Sequence, residues 1–160
     1  MRNRVGLGFD VHPFGAEPPL VLGGVRIADA PRLVGHSDGD AVAHAVADAL
    51  LGAAGLGDIG QHFPDTEERW RDADSIDLLG EVCSFLEEHG WTVRHMDATL
   101  VAEKPKLGGY RDAMRASLAR PAGISPRDVN VKFTTNEGMG FVGRGEGMAA
   151  IAVATVERSD

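Results

Sequence analysis

The chain has 160 residues, 43% of them hydrophobic, enough for one core and short for two, so residues 1–160 are expected to form a single domain. A net charge of −8 offers no basic face for a nucleic-acid backbone, so any phosphorylated ligand must be held locally by metal ions, backbone amides and a few placed Lys or Arg. The single Cys83 excludes an internal disulfide, no apolar run is long enough for a bilayer, and no secretory hydrophobic region follows Met1; a cytoplasmic protein is expected.

Val5, Leu7, Phe9 and Val11 alternate with Gly6, Gly8, Asp10 and His12, which predicts a strand with one apolar face and one site-facing face. Leu20-Val21-Leu22 and Val25-Arg26-Ile27 flank Gly23-Gly24, a linker suited to the positive φ angles of a tight hairpin. Ser37 with Asp40 resembles a capping box, and Val42, Ala45, Val46, Ala49, Leu50 and Ala53 recur at helical spacing until Gly55. His44 rides on this helix with Asp40 and Asp48 at i±4, a stripe of titratable groups that suggests a polar site. Residues 57–60 and 63–66 read as irregular loop. A second helix starts near Asp74 or Ser75, carries Ile76, Leu79, Val82, Cys83 and Leu86 inward, and stops at Gly90.

Trp91 to Ala102 predicts a long strand, and Pro105-Lys106-Leu107 the start of a third helix with Leu107, Tyr110, Met114 and Leu118 on one side. Val129 to Thr135 and Met148 to Val156 supply further strands, separated by a glycine-rich loop. This order predicts an α+β fold in which helices cover one face of a mixed sheet. The other face would be left bare, and Met148 to Ala154 is apolar on both faces, which implies a subunit partner.

Asp10 and His12 project from one strand face and can grip one ion. Alone the pair reads as an ordinary surface contact, but His44 from a helix, with glycines clearing space before Asp10, favours a metal. Two His and a carboxylate leave the fourth position of a tetrahedral zinc site open to substrate. His36 precedes a helix N-terminus, where it either meets a phosphate or is a solvated loop residue. Ala102-Glu103-Lys104-Pro105-Lys106-Leu107 is either a solvated turn or a nucleotide pocket. Thr134-Thr135-Asn136-Glu137 leads into Gly138 to Gly147, where five glycines fall in ten residues; such a loop suits a diphosphate with a hard divalent cation on Glu137. His62, His89 and His95 read as surface or packing residues, and Cys83 as an inert buried thiol.

Taken in order, Gly8-Phe9-Asp10-Val11-His12, His36-Ser37-Asp38-Gly39-Asp40 with His44, Asp58-Ile59-Gly60, Phe63-Pro64-Asp65-Thr66, Lys104-Pro105-Lys106 and Thr134 through Gly147 strongly resemble the 2-C-methyl-D-erythritol 2,4-cyclodiphosphate synthase family. The resemblance runs from Arg4 to about Val156. It implies a cyclising phosphorus-oxygen lyase of non-mevalonate isoprenoid biosynthesis, acting on 4-diphosphocytidyl-2-C-methyl-D-erythritol 2-phosphate and releasing CMP. It implies zinc on Asp10, His12 and His44, and magnesium or manganese on Glu137 with the substrate phosphates. His36 and Thr135 would stabilise the transition state.

Substrate would also meet Ser37, Asp58, Ile59, Gly60, Phe63 and Asp65. Cytosine would lie among Ala102, Lys104, Pro105, Lys106 and Leu107, and phosphate by Thr134, Lys106, Asn136 and Glu137. The family's homotrimer would place each site between two subunits, and Phe9, Phe141 and Arg144 would line an axial cavity able to take an isoprenoid diphosphate. Glu103 puts a negative charge beside the cytosine pocket. Two other functions fit parts of the pattern: a non-catalytic trimer binding isoprenoid diphosphate, and a metal-dependent phosphohydrolase in which zinc activates water.

Overall fold

In a computed structural model describing residues 2–158, β1 (Arg2–Pro13) pairs antiparallel with β6 (Gly147–Arg158), from Arg2↔Arg158 to Pro13↔Gly147. β6 pairs antiparallel with β4 (Thr92–Val101), and β4 pairs parallel with β5 (Val129–Thr134), so the sheet is mixed and ordered β1-β6-β4-β5. A separate hairpin joins β2 (Leu20–Leu22) to β3 (Val25–Ile27), with Gly23 and Gly24 at φ of 55° and 72° as a tight turn requires. The fold is α+β.

The two faces of β1 are distributed as its alternation suggests, but the apolar set faces away from the core. Val5 and Leu7 are each 67% exposed and Phe9 57%, while Gly6 and Gly8 are buried. The cause lies in α1 (Ala41–Ala54), a helix of Ala, Val and Leu buried nearly all round. Such a helix is stable only with neighbours on every side, and it packs on β1 backbone to backbone. A Cβ added at Gly6 would sit 2.0 Å from the Ala49 carbonyl oxygen, and one at Gly8 1.9 Å from that of Ala45. Two strand residues advance about 6.6 Å and four helix residues about 6.0 Å, so strand and helix stay in step. The next residue on that face, Asp10, therefore meets the helix near His44.

The cap of α1 is Asp40 rather than Ser37. Its fully buried carboxylate accepts hydrogen bonds from Val42 N (3.1 Å) and Ala43 N (3.0 Å), and also from Gly23 N (2.8 Å) and Gly24 N (2.7 Å) of the hairpin turn. Burial and the nearby Asp38 push this carboxyl up to about 6, against the pull of the amides. Asp48 accepts from Ile59 N at 2.9 Å and anchors α2 (Ile59–His62), a short helix where loop was expected. Both acids of the stripe around His44 are thus structural ties, and only His44 belongs to a polar site.

We expect Asp40→Ala to cost about 3 kcal/mol in urea unfolding, because it removes a cap and orphans buried amides in two elements. Between about pH 4 and 6 the folded Asp40 holds a proton that the unfolded chain has released, so its contribution to stability falls as pH rises through that window. The variant should lose this pH dependence.

α3 (Ser75–Glu88), capped by Asp74, buries Ile76, Leu79, Val82, Cys83 and Leu86 as expected. Burial and then Glu87 push the Cys83 thiol up to about 12, which keeps it inert. The third helix begins later than Pro105. Residues 105–107 are irregular, a 3₁₀ turn spans Gly108–Tyr110, and α4 runs from Arg111 to Ala119; Gly108 and Gly109 are poor helix formers and defer the start. The glycine-rich loop contains one short helix, α5 (Gly140–Gly143). Among the described residues no helix is long and apolar enough to cross a membrane.

Candidate functional site

Asp10 and His12 reach from β1, and His44 from the first turns of α1, into one cavity of about 400 Å³. Asp10 Oδ2 lies 2.8 Å from His12 Nε2 and 3.2 Å from His44 Nδ1, and the two nitrogens are 3.2 Å apart. A tetrahedron with arms of about 2.0–2.1 Å has edges of about 3.3 Å, so the three atoms suit three corners of a zinc site. Among the described residues these three form the one cluster of at least three such side chains able to hold a metal.

Both imidazoles are fixed by their outer nitrogens. His12 Nδ1 donates to the Val34 carbonyl at 2.9 Å, leaving Nε2 as a lone pair toward the cluster. His44 Nε2 donates to Ser75 Oγ at 2.8 Å and lies 3.0 Å from Ser37 Oγ, while Ser75 Oγ donates to Asp38 Oδ1 at 2.5 Å. The serines and Asp38 therefore leave His44 Nδ1 unprotonated and aimed at Asp10. Burial lowers the His12 pKa, but the hydrogen bond and charge of Asp10 outweigh it and leave it above the usual histidine value. Burial likewise raises Asp10, but hydrogen bonding and charge from His12 and His44, when a proton rather than a metal lies between them and the carboxylate, hold it below the usual carboxylate range. A metal here must displace protons, so metal content should fall as pH is lowered through the range in which His12 takes up its proton, which lies above the usual histidine value.

Sequence spacing did not reveal Ser75. It reads as the first residue of a helix, and it meets His44 only because α3 starts beside α1, 31 residues on in the chain. If the group holds a metal, Ser75→Ala should weaken its binding about tenfold in a chelator competition without abolishing it, since partners of metal-bound His contribute on that scale.

The same cavity is lined by His36, Ser37, Ile59, Gly60, Phe63, Asp65 and Trp70. His36 Nε2 donates to the Glu67 carbonyl at 3.3 Å. Of the helix N-terminal amides near it, those of Val42 and Ala43 are taken by the Asp40 carboxylate. Asp58 caps α2 through Gln61 N at 3.0 Å rather than lining the cavity wall.

The remaining candidate residues lie elsewhere. Ala102, Pro105, Lys106, Leu107, Thr134 and Thr135 line a second cavity of about 290 Å³ that shares no residue with the first. Lys104 faces a neighbouring hollow with Arg144, which is bonded to Glu146 at 2.6 Å; Phe141 is exposed beside them on α5. Thr135 Oγ1 donates to Glu137 Oε1 at 3.2 Å. The sheet register aligns Val11, Ala149, Val101 and Thr134 in one row, so the two cavities share one end of the sheet, but β1 and β5, which line one each, are three strand spacings apart, about 14 Å.

The sequence model described as the YgbB family matches residues 3–157. The 2-C-methyl-D-erythritol 2,4-cyclodiphosphate synthase of Alkaliphilus oremlandii is 50% identical over 153 residues, 96% of this chain and 98% of that protein. The structure of the bifunctional IspDF from Campylobacter jejuni superposes with a TM-score of 0.95 at 42% identity, covering 99% of this chain and 43% of that one. A 2C-methyl-D-erythritol-2,4-cyclodiphosphate synthase solved in a CDP-bound form gives a TM-score of 0.87 at 38% identity, covering 96% of this chain and 100% of that one. Matched along nearly its whole length in sequence and in fold, the chain belongs to the 2-C-methyl-D-erythritol 2,4-cyclodiphosphate synthase family.

Proposed function

We propose that the protein converts 4-diphosphocytidyl-2-C-methyl-D-erythritol 2-phosphate to 2-C-methyl-D-erythritol 2,4-cyclodiphosphate and CMP, as a cyclising lyase of non-mevalonate isoprenoid biosynthesis. An oxygen of the 2-phosphate forms a bond to the β-phosphorus, and the bond from that phosphorus to the oxygen bridging it to the α-phosphorus breaks. The electron pair leaves with CMP. No covalent enzyme intermediate is required, so the protein's work is positioning and charge neutralisation. The observation that carries this reading is the Asp10, His12 and His44 triangle in a cavity of about 400 Å³ that is also lined by His36, Ser37 and Asp65.

Zinc on that triangle, with magnesium or manganese on Glu137, would supply Lewis-acid contacts that neutralise the phosphates. His36 and Thr135 donate to the oxygens that gain charge in the transition state. Ser37, Asp58, Ile59, Gly60, Phe63 and Asp65 hold the ribose and erythritol portions. Ala102, Lys104, Pro105, Lys106 and Leu107 surround cytosine, and Thr134, Asn136 and Glu137 meet the diphosphate. Support for a cytidine ligand comes from the relative solved with CDP.

One substrate must touch both cavities, which a single protomer keeps three strands apart; a homotrimer with each site shared between two subunits brings them together. The exposed sheet face supports this. It runs from apolar Val5, Leu7, Phe9, Ile151 and Val153 on β1 and β6 to Asp97, Asn130 and Lys132 on β4 and β5. Phe9, Phe141 and Arg144 would then line an axial cavity suited to an isoprenoid diphosphate. The lone buried thiol Cys83 supports a cytoplasmic setting.

Incubation with the cytidyl substrate and Mg²⁺ should release CMP, followed by chromatography, and Glu137→Gln should slow release by at least about 10²-fold. Wild-type protein that releases no CMP would remove the proposal.

A further inference from the structure

The loop after β5 places three backbone features around one side chain. Asn136 N donates to Glu103 Oε1 at 2.9 Å, and Gly138 N donates to the same oxygen at 3.2 Å. Between them Glu137 has a φ of 52°, a left-handed conformation that side chains other than glycine rarely adopt. Two amides flanking a left-handed residue and converging on one point form an anion-binding nest. Here the anion comes from the chain itself. The glycine-rich loop therefore does not offer these two amides to a diphosphate, as its composition suggests; they are taken by Glu103.

Glu103 also stands between two functional segments. It follows Ala102 at the end of β4 and lines the cavity of Lys106, Thr134 and Thr135, while its oxygen holds the turn that aims Glu137 and Thr135. Within this turn the Thr135 hydroxyl donates to the Glu137 carboxylate and accepts from Glu137 N at 3.3 Å. The negative charge beside the cytosine pocket is thus committed to the loop's amides.

We propose that Glu103 is a positioning residue that holds the 135–138 loop in its left-handed turn, so that the Glu137 carboxylate is placed for a divalent cation. The inference rests on the proposed cyclisation only for its kinetic readout. Without the nest's anion, residue 137 relaxes toward ordinary backbone angles and its carboxylate is no longer held beside Thr135. Glutamine keeps a carbonyl oxygen able to accept both amides, so it preserves the turn without the charge.

The test compares wild type, Glu103→Ala and Glu103→Gln by amide hydrogen exchange, zinc content and CMP release over a range of Mn²⁺ concentrations. Glu103→Ala should exchange the Asn136 and Gly138 amides at least about tenfold faster and require about tenfold more Mn²⁺ for half-maximal rate, the scale of a supporting ligand partner. Its zinc content should be unchanged, because Asp10, His12 and His44 lie elsewhere. Glu103→Gln should restore both the protection and the Mn²⁺ dependence to near wild type. Unchanged exchange in Glu103→Ala, or a lowered rate with unshifted Mn²⁺ dependence, would overturn the proposal. Wild-type protein that releases no CMP but shows the amide effect would retain the clamp and discard the cyclase reading.

Discussion

Gly8→Ala should unfold or gravely destabilise the protein, by at least about 3 kcal/mol, despite adding a single methyl group. The new Cβ would lie 1.9 Å from the Ala45 carbonyl oxygen and 2.7 Å from the Ala49 nitrogen. Both are backbone atoms of α1, so no rotamer change relieves the clash and the helix must back away from β1. The same displacement carries His44 from Asp10 and His12, so any folded fraction should also have lost zinc. Gly52→Ala is the natural control, because its Cβ would meet nothing nearer than the Leu7 carbonyl oxygen at 3.9 Å. Alanine is also the better helix former there, so that variant should gain up to about 1 kcal/mol. Urea midpoints of the two variants, measured beside wild type, decide the matter; equal stability would show that β1 and α1 are not in backbone contact.

His44→Ala should do the reverse, abolishing chemistry while sparing the fold. The side chain lies at the cavity end of α1, and alanine at that position continues the helix. Removing one of three ligands should empty the zinc site and lower CMP formation on the order of 10³-fold. Stability should change by about 1 kcal/mol or less in the zinc-free proteins, because the replaced contacts are polar and partly solvated. Elemental analysis checks the first effect directly. Zinc retained at the wild-type ratio would refute the ligand assignment.

Much of this arrangement is legible in the sequence because it depends on local rules. The period of two in Val5 to His12, the glycine pair at 23 and 24, and the helical spacing from Val42 to Ala53 each follow from backbone geometry within a few residues. What these rules leave open is which side of an element meets the core. Alternation separates Val5, Leu7 and Phe9 from Gly6 and Gly8, and it is the mostly apolar, nearly fully buried α1 that draws the glycines inward and leaves the larger residues exposed.

Long-range hydrogen bonding accounts for the other differences. Asp40 looks like part of a polar stripe and is instead a buried tie to a hairpin 16 and 17 residues away. Ser75 looks like a helix start and also orients His44. Glu103 looks like an awkward charge and serves the loop amides more than 30 residues on. Each role depends on where two distant segments meet, which no local spacing records. The Asp10, His12 and His44 triangle is recognisable because metal-ligand chemistry restricts the residue types so severely.

The central claim is that the protein closes a ring by moving one phosphate onto another, and the product's phosphorus spectrum tests it most directly. Incubated with the cytidyl substrate and Mg²⁺, the protein should yield CMP together with two mutually coupled phosphorus resonances belonging to one cyclic diphosphate. Linear phosphate products, or substrate resonances that persist unchanged, would contradict the account.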